Sequence, residues 1–191
     1  MPTLHVIVAS TRPGRIGLPV ARWFIDQAVK HGGFEVNMVD LAELNLPLMN
    51  EPNHPRLRRY EHRHTKDWSA TVDAADAFVI VMPEYNHGFT APLKNALDYL
   101  HSEWAYKPVG LVSYGGVSGG LRAAQMIKPV LNALKMVPVY AGVPIPSVMR
   151  FLNDDGEIQA DEPVENAATA MLDELLRWAG ALKPLRDTGA A

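Results

Sequence analysis

Cysteine is missing from the 191-residue chain. Without a thiol there is no disulfide, no thiolate metal site and no cysteine nucleophile. An excess of one charge is missing too. The 18 Lys and Arg stand against 21 Asp and Glu, a formal net charge of -3 with a pI near 6.1. That balance speaks against nucleic acid or an anionic membrane as the main partner. No apolar run approaches the ~18 residues of a membrane span. No basic segment leads into an apolar one after Met1, so no signal peptide is expected and the location expected by default is cytoplasmic. What remains is ordinary. Hydrophobic residues make up 48% and charged residues 20%, as in a globular domain, and the length suits one domain with a real core. The expected division is a single domain over 1–184 and a disordered tail over 185–191, after Pro184.

Apolar runs and helical periods alternate along the chain. Leu4 to Val8 reads as a buried strand, and Pro19 to Lys30 as a helix stopped by Gly32 and Gly33. Phe34 to Val39 alternates, with Phe34, Val36 and Met38 on one face. Residues 41–64 read as a long loop and 65–75 as a helix. Ala77 to Met82 is the strongest strand, ending at Pro83. A helix follows over 91–101, then a strand over 108–114, a helix over 119–136 and a fifth strand over 137–142. Asp155-Gly156 reads as a hairpin turn, and 164–182 as a closing helix. Strands alternating with helices predict an α/β fold, a doubly wound five-stranded parallel sheet with helices on both faces. The predicted order is the flavodoxin-like one, 2-1-3-4-5.

In that order the ligand crevice lies beyond the carboxyl ends of strands one and three. Three unusual loops converge there. The first, Ser10-Thr11-Arg12-Pro13-Gly14-Arg15-Ile16-Gly17, leads into a helix N-terminus. Unpaired amides and the helix dipole attract anions at such a place. Ser10 and Thr11 offer hydroxyls, Arg12 and Arg15 forked cationic donors. Gly14 and Gly17 let backbone approach a ligand. A phosphate monoester suits this cradle. The competing reading has solvated arginines and Ser10 as a helix cap. Neither a Gly-x-x-x-x-Gly-Lys-Ser/Thr loop nor a Gly-x-Gly-x-x-Gly fingerprint is present. The second loop, Pro83-Glu84-Tyr85-Asn86-His87-Gly88, offers an apolar and aromatic face with in-plane hydrogen bonds for a flat heteroaromatic ring; a plain connection with a packed Tyr competes. The third, Ser113-Tyr114-Gly115-Gly116-Val117-Ser118-Gly119-Gly120, holds four glycines. They fit backbone passing close to a ring or phosphate, or a tight turn without ligand.

Ser10-Thr11-Arg12-Pro13-Gly14-Arg15, Pro83-Glu84-Tyr85-Asn86, Leu93 to Asp98 and Tyr114 to Gly120 together resemble the NADPH-dependent FMN reductase family, which includes quinone, azo-dye and chromate reductases. The resemblance runs from about Leu4 to Pro138. It implies that Ser10, Arg12, Arg15 and the amides near Ile16 and Gly17 hold the FMN phosphate. It implies that Pro83, Glu84, Tyr85 and Asn86 contact the isoalloxazine, and that Ser113, Tyr114, Gly115 and Gly116 contact its pyrimidine side. It also implies a homodimer or homotetramer, with Leu93 to Asp98 near the subunit contact. Ala9 stands where many relatives have Gly, and His87, Phe89 and Thr90 fall in a variable part of the second loop.

The implied activity is an oxidoreductase in which hydride passes from NADPH or NADH to flavin N5, and then to a small electron acceptor such as a quinone, azo compound, metal oxyanion or free flavin. A flavodoxin-like FMN carrier serving protein partners is the alternative. No general acid or base stands out, and no metal site is assigned: His54, His62 and His64 with Glu61 read as solvated surface. Trp23, Trp68 and Trp178 read as core or interface anchors. Trp104 and Tyr106 are candidates to border the ring from a partner chain. Arg56, Arg58, Arg59 and Arg63 either meet the NADPH 2′-phosphate or keep the loop soluble.

Overall fold

The computed structural model describes residues 1–187. Its elements run β1 (Thr3–Val8), α1 (Gly17–His31), β2 (Glu35–Asp40), α2 (Leu41–Leu44), α3 (Arg63–Asp73), β3 (Ala77–Pro83), α4 (Ala91–Asp98), β4 (Pro108–Tyr114), α5 (Leu121–Ala133), β5 (Val137–Pro138), β6 (Val143–Ile145) and α6 (Glu162–Asp187). All strand pairs are parallel, in the order β2-β1-β3-β4-β5, and β6 also pairs with β4. The predicted order therefore holds, with one strand added.

Burial explains the register. β3 and β4 are buried at every position, as strands covered on both faces must be. Side chains alternate between two layers. Leu4, Val6 and Val8 of β1 join Val79, Val81 and Val112 against Phe24 of α1 and Met171 and Leu175 of α6. Ile7 joins Phe78 and Ile80 against Trp68 of α3, Leu97 of α4 and Ile127 of α5. Each such large apolar side chain contributes about 1.5–3 kcal/mol on burial. β2 is an edge strand, and Met38 is correspondingly exposed rather than on a core face.

Several boundaries differ from expectation, at four places most of all. The fifth strand does not run through 142. Pro138 and Pro144 lack ladder donors; the Val139 N–H still bonds the Val109 carbonyl at 3.0 Å, residues 140–142 leave the sheet, and pairing with β4 resumes at Val143. Glu174 of α6 takes over as acceptor, bonding the Tyr140 and Ala141 N–H groups at 3.1 and 2.7 Å. α1 begins at Gly17, so Pro19 sits in the first turn, where its missing N–H is no loss. The long loop contains α2 and a 3-10 turn, Pro55–Leu57. Finally, α6 runs through Pro184 to Asp187 instead of ending in a disordered tail. Arg186 secures its last turn, donating to the Tyr106 carbonyl at 3.0 Å and to Asp76 at 2.9 Å. The rest of the expected tail, 188–191, lies outside the described residues. The Asp155-Gly156 turn forms as expected, between Leu152 and Ile158. Among the described residues no helix is long and apolar enough to cross a membrane.

Candidate functional site

β1 and β3 lie side by side, and the Ala9 N–H extends their pairing by bonding the Val81 carbonyl at 2.9 Å. Beyond it the chain leaves the sheet. The Arg15 N–H closes a turn onto the Arg12 carbonyl at 3.1 Å. Arg12 is exposed and forms no ion pair among the described residues. Arg15 is already engaged. Its Nη1 donates to the Ser10 carbonyl at 2.6 Å and to Asp40 Oδ1 at 2.5 Å, and its Nη2 to Asp40 Oδ2 at 2.5 Å. That leaves Nε–H and one Nη2–H for a ligand.

Ser10 is not the cap of α1. The capping position is Ile16, whose side chain makes no capping bond, and among the described residues no side-chain bond to the first amides of the helix is seen. Those amides stay available, as an anion site requires. Ser10 Oγ is buried without a hydrogen bond of normal geometry. It is packed against Gly17, where a Cβ would come within 2.1 Å of Ser10 Oγ and 2.6 Å of the Tyr114 hydroxyl. Burial pushes the Tyr114 phenol up to about 12, opposed by its contact with the Ser10 hydroxyl and by the charges of Arg15 and Arg12. A buried hydroxyl, uncapped amides and a side-chain-free floor fit a phosphate.

The second loop is pinned at both ends. The Glu84 N–H bonds the Tyr114 carbonyl at 3.1 Å, and Tyr85 and Gly88 exchange backbone bonds at 3.0 and 2.9 Å. Asn86 and His87 both have positive φ, 50° and 68°, the mark of a type I′ turn. The conformational demand therefore falls on these two residues and not on Gly88. Tyr85 and Asn86 are exposed at the tip, while Pro83 is buried at the base. Glu84 points away from the tip. Its carboxylate accepts the Arg122 N–H at 3.1 Å, Arg122 Nε at 2.5 Å and Ser118 Oγ at 3.2 Å. Burial alone would raise its pKa, but Arg122 holds it below the usual carboxylate value. It clasps the second loop to the third.

The glycines of the third loop divide by role. Gly119 and Gly120 serve the fold: both have positive φ, and a Cβ on Gly120 would meet Ser113 Cβ and the Tyr114 N at 2.8 Å. Gly115 and Gly116 are free of such crowding. Their carbonyls accept the Val148 and Ser147 N–H groups at 3.2 and 2.8 Å, which holds the loop open. Ser113 is buried, and its hydroxyl donates to the Gly119 carbonyl at 2.8 Å. The structure thus brings all three loops together beyond the carboxyl ends of β1, β3 and β4. It gives the side chains of Arg15, Glu84 and Ser113 internal partners.

Several other residues fall elsewhere. Trp104 does not border the crevice. It is fully buried against Trp68 and Phe78, and its Nε1 donates to the Leu97 carbonyl at 3.2 Å. Tyr106, with φ 58°, lies under Lys135 at the opposite end of the sheet. Trp23 and Trp68 are core, and Trp178 is partly exposed. Arg58 is tied to Asp73 and Glu103 near the start of β4, at the far end from the crevice. His62 and His64 stack and both turn to Asn50. Among the described residues no group of three or more His, Asp or Glu is disposed to hold a metal.

Sequence reasoning missed Asp40 and Arg122, and the bracing role of Thr90. Thr90 Oγ1 donates to the Ala9 carbonyl at 2.7 Å and caps α4, so it fixes the end of β1. A carboxylate closing an apolar strand at Asp40 and the Thr90-Ala91-Pro92 helix start were the available signals.

A sequence profile described as NADPH-dependent FMN reductase matches residues 2–148. An NAD(P)H-dependent FMN reductase of Schizosaccharomyces pombe is 41% identical over 137 residues, covering 71% of this chain and 68% of its own. An NADPH azoreductase of a Bacillus species is 34% identical over 166 residues, covering 83% and 84%. The flavoenzyme FerB of Paracoccus denitrificans, an NAD(P)H:(acceptor) oxidoreductase, superposes with a TM-score of 0.76 over 95% of this chain and 98% of its own, at 20% identity. The last shows the shared fold, and the profile and the first two carry the assignment: this chain belongs to the NADPH-dependent FMN reductase family.

Proposed function

We propose that FMN binds with its phosphate in the first loop and its ring between the second and third, and that the chain reduces small acceptors with NAD(P)H. The observation that carries the reading is the uncapped start of α1 over the side-chain-free Gly17 floor, with the buried Ser10 hydroxyl beside it. Ser10, Arg12, the Ile16 and Gly17 amides and the spare donors of Arg15 hold the phosphate. Pro83, Tyr85 and Asn86 face the ring on one side, and the backbone of Ser113, Tyr114, Gly115 and Gly116 lines the other. Glu84 acts from behind, by fixing the distance between the two loops.

Bound FMN supplies the two-electron exchange between NAD(P)H and acceptor. The protein contributes position. Glu84, bonded to Ser118 and Arg122, ties the second loop to the third and fixes their relative position. The names of the relatives, FMN reductase, azoreductase and quinone oxidoreductase, favour an enzyme over a carrier. We place the protein in the cytoplasm, where NAD(P)H is at hand.

A homodimer or homotetramer belongs to the same proposal. Tyr85, Val117, Leu121, Met126 and Met149 are all exposed on or near the loops of the crevice rim, and a second copy would cover them. Sedimentation of the purified protein tests this. The cofactor reading is tested by titrating FMN and riboflavin and by following NADPH oxidation with and without a quinone. FMN binding much tighter than riboflavin, with quinone-stimulated turnover, supports it. Equal affinities would remove the phosphate site.

A further inference from the structure

The acid at the phosphate end of the crevice is out of place at first sight. Asp40 ends β2, the neighbour of β1, and its side chain is 1% exposed. A buried carboxylate beside an anion site repels the ligand unless it serves another purpose. Its bonds show that purpose. Oδ1 accepts Arg15 Nη1 at 2.5 Å and the Ala42 N–H at 3.0 Å, and Oδ2 accepts Arg15 Nη2 at 2.5 Å. The same Nη1 donates to the Ser10 carbonyl at 2.6 Å. One guanidinium thus spans the end of β2 and the first loop residue after β1. The fork geometry fixes it in direction as well as in distance. Burial alone would raise the Asp40 carboxyl, but Arg15 and the Ala42 N–H outweigh it and keep the group ionised.

We propose that Asp40 is a positioning residue for the FMN phosphate: through Arg15 it fixes the Ser10 carbonyl and the Arg12–Arg15 turn, so that Ser10 Oγ, Arg12 and the first amides of α1 converge before the ligand arrives. This rests on the phosphate reading given above. Arg15 is then a strut first, and a phosphate ligand only through its spare donors. Electrostatics alone gives the opposite sign, since removing a negative charge beside a dianion tightens binding.

The test measures FMN and riboflavin affinities, with thermal unfolding, for the full chain and for Asp40→Asn, Arg15→Lys, the double variant and Arg12→Ala. Asp40→Asn keeps the shape and loses the charge-assisted fork. FMN affinity falls about tenfold or more, and riboflavin affinity stays at the wild-type value. Arg15→Lys keeps the charge, loses the fork and falls similarly. The double variant falls no further than Arg15→Lys alone. Asp40→Asn binding FMN as well as or better than wild type overturns the proposal. So does an equal loss for riboflavin, or a double variant whose loss is the product of the singles. Should Asp40→Asn not fold, Arg15→Lys decides by the same FMN-to-riboflavin ratio. The underlying phosphate reading fails separately, if the wild type prefers FMN no more than riboflavin and Arg12→Ala changes nothing.

Discussion

Replacing Gly17 by Ala sets two effects of opposite sign against each other. Gly17 is the first residue of α1 and has no positive φ. Helix propensity on its own makes the change favourable, by up to about 1 kcal/mol in a helix interior and less at a terminus. The space is unfavourable. The new Cβ would stand 2.1 Å from Ser10 Oγ, 2.6 Å from the Tyr114 hydroxyl and 3.3 Å from Ser10 Cβ. Rotating the serine hydroxyl relieves only the first of these. Tyr114 is 5% exposed and sits at the end of a fully buried strand, so its ring has little room to retreat. Overpacking of this kind costs about 1–3 kcal/mol. The net expectation is a loss of about 1–2 kcal/mol, or a fall in melting temperature of about 3–6 °C for a chain of this length. FMN affinity falls further than stability, because both displaced groups border the proposed phosphate position; riboflavin affinity changes less. Thermal unfolding without flavin and titration with each flavin give the two numbers. A Gly17→Ala protein that melts at or above the wild-type temperature and binds FMN normally would show that the floor under α1 is not built as described.

Three further outcomes follow from the same geometry. Arg122→Ala leaves the Glu84 carboxylate, 6% exposed, without its cation; because Arg122 itself is half exposed, the loss in urea unfolding is about 1 kcal/mol at low salt and shrinks as salt rises. Asp40, Glu84, Glu103 and Glu174 are all held below the usual carboxylate value: burial alone would raise each, but hydrogen bonds and nearby cations outweigh it. Their contribution is therefore complete above the unfolded values near 4 and is lost as pH falls through the lower folded values, so the urea midpoint declines below about pH 4; a midpoint unchanged to pH 3 contradicts this. Trp104→Ala empties a site between Trp68 and Phe78 and costs about 3–5 kcal/mol, while the protein that stays folded keeps its preference for FMN over riboflavin; loss of that preference would return Trp104 to the crevice.

The central strands were legible because burial on both faces leaves one solution. Ala77 to Met82 and Pro108 to Tyr114 are apolar enough to be only interior strands, and the alternation with helices then limits the sheet to a few doubly wound orders. The crevice was legible for the same reason, since a sheet of that order has one reversal point. What the sequence hid was long-range pairing. Nothing near Arg15 says that its partner lies 25 residues on, at Asp40. The four glycines of the third loop look alike in sequence. Only the packing separates Gly119 and Gly120, which the turn needs, from Gly115 and Gly116, which it does not. Trp104 was misjudged because its position just past a helix suggested a rim. The 3-10 turn at Ser102–Trp104 instead folds it back under Phe78. The break after Pro138 was written in the prolines, but the acceptor that makes it tolerable, Glu174, comes from α6.

These hidden pairings share a property that bears on binding. Each joins a crevice loop to a different element: Arg15 to β2 through Asp40, the Ala9 carbonyl to α4 through Thr90, Glu84 to α5 through Arg122, and Gly116 to Ser147. Loops left free would have to be ordered by the ligand, at about 1–2 kcal/mol for each residue fixed. Here the folded chain has already met that cost, with bonds made among its own residues. A mononucleotide phosphate can then be held by a hydroxyl, one free arginine and a few amides, with no P-loop lysine. The three loops are therefore better understood as the exposed ends of a braced frame than as flexible segments that close on a cofactor.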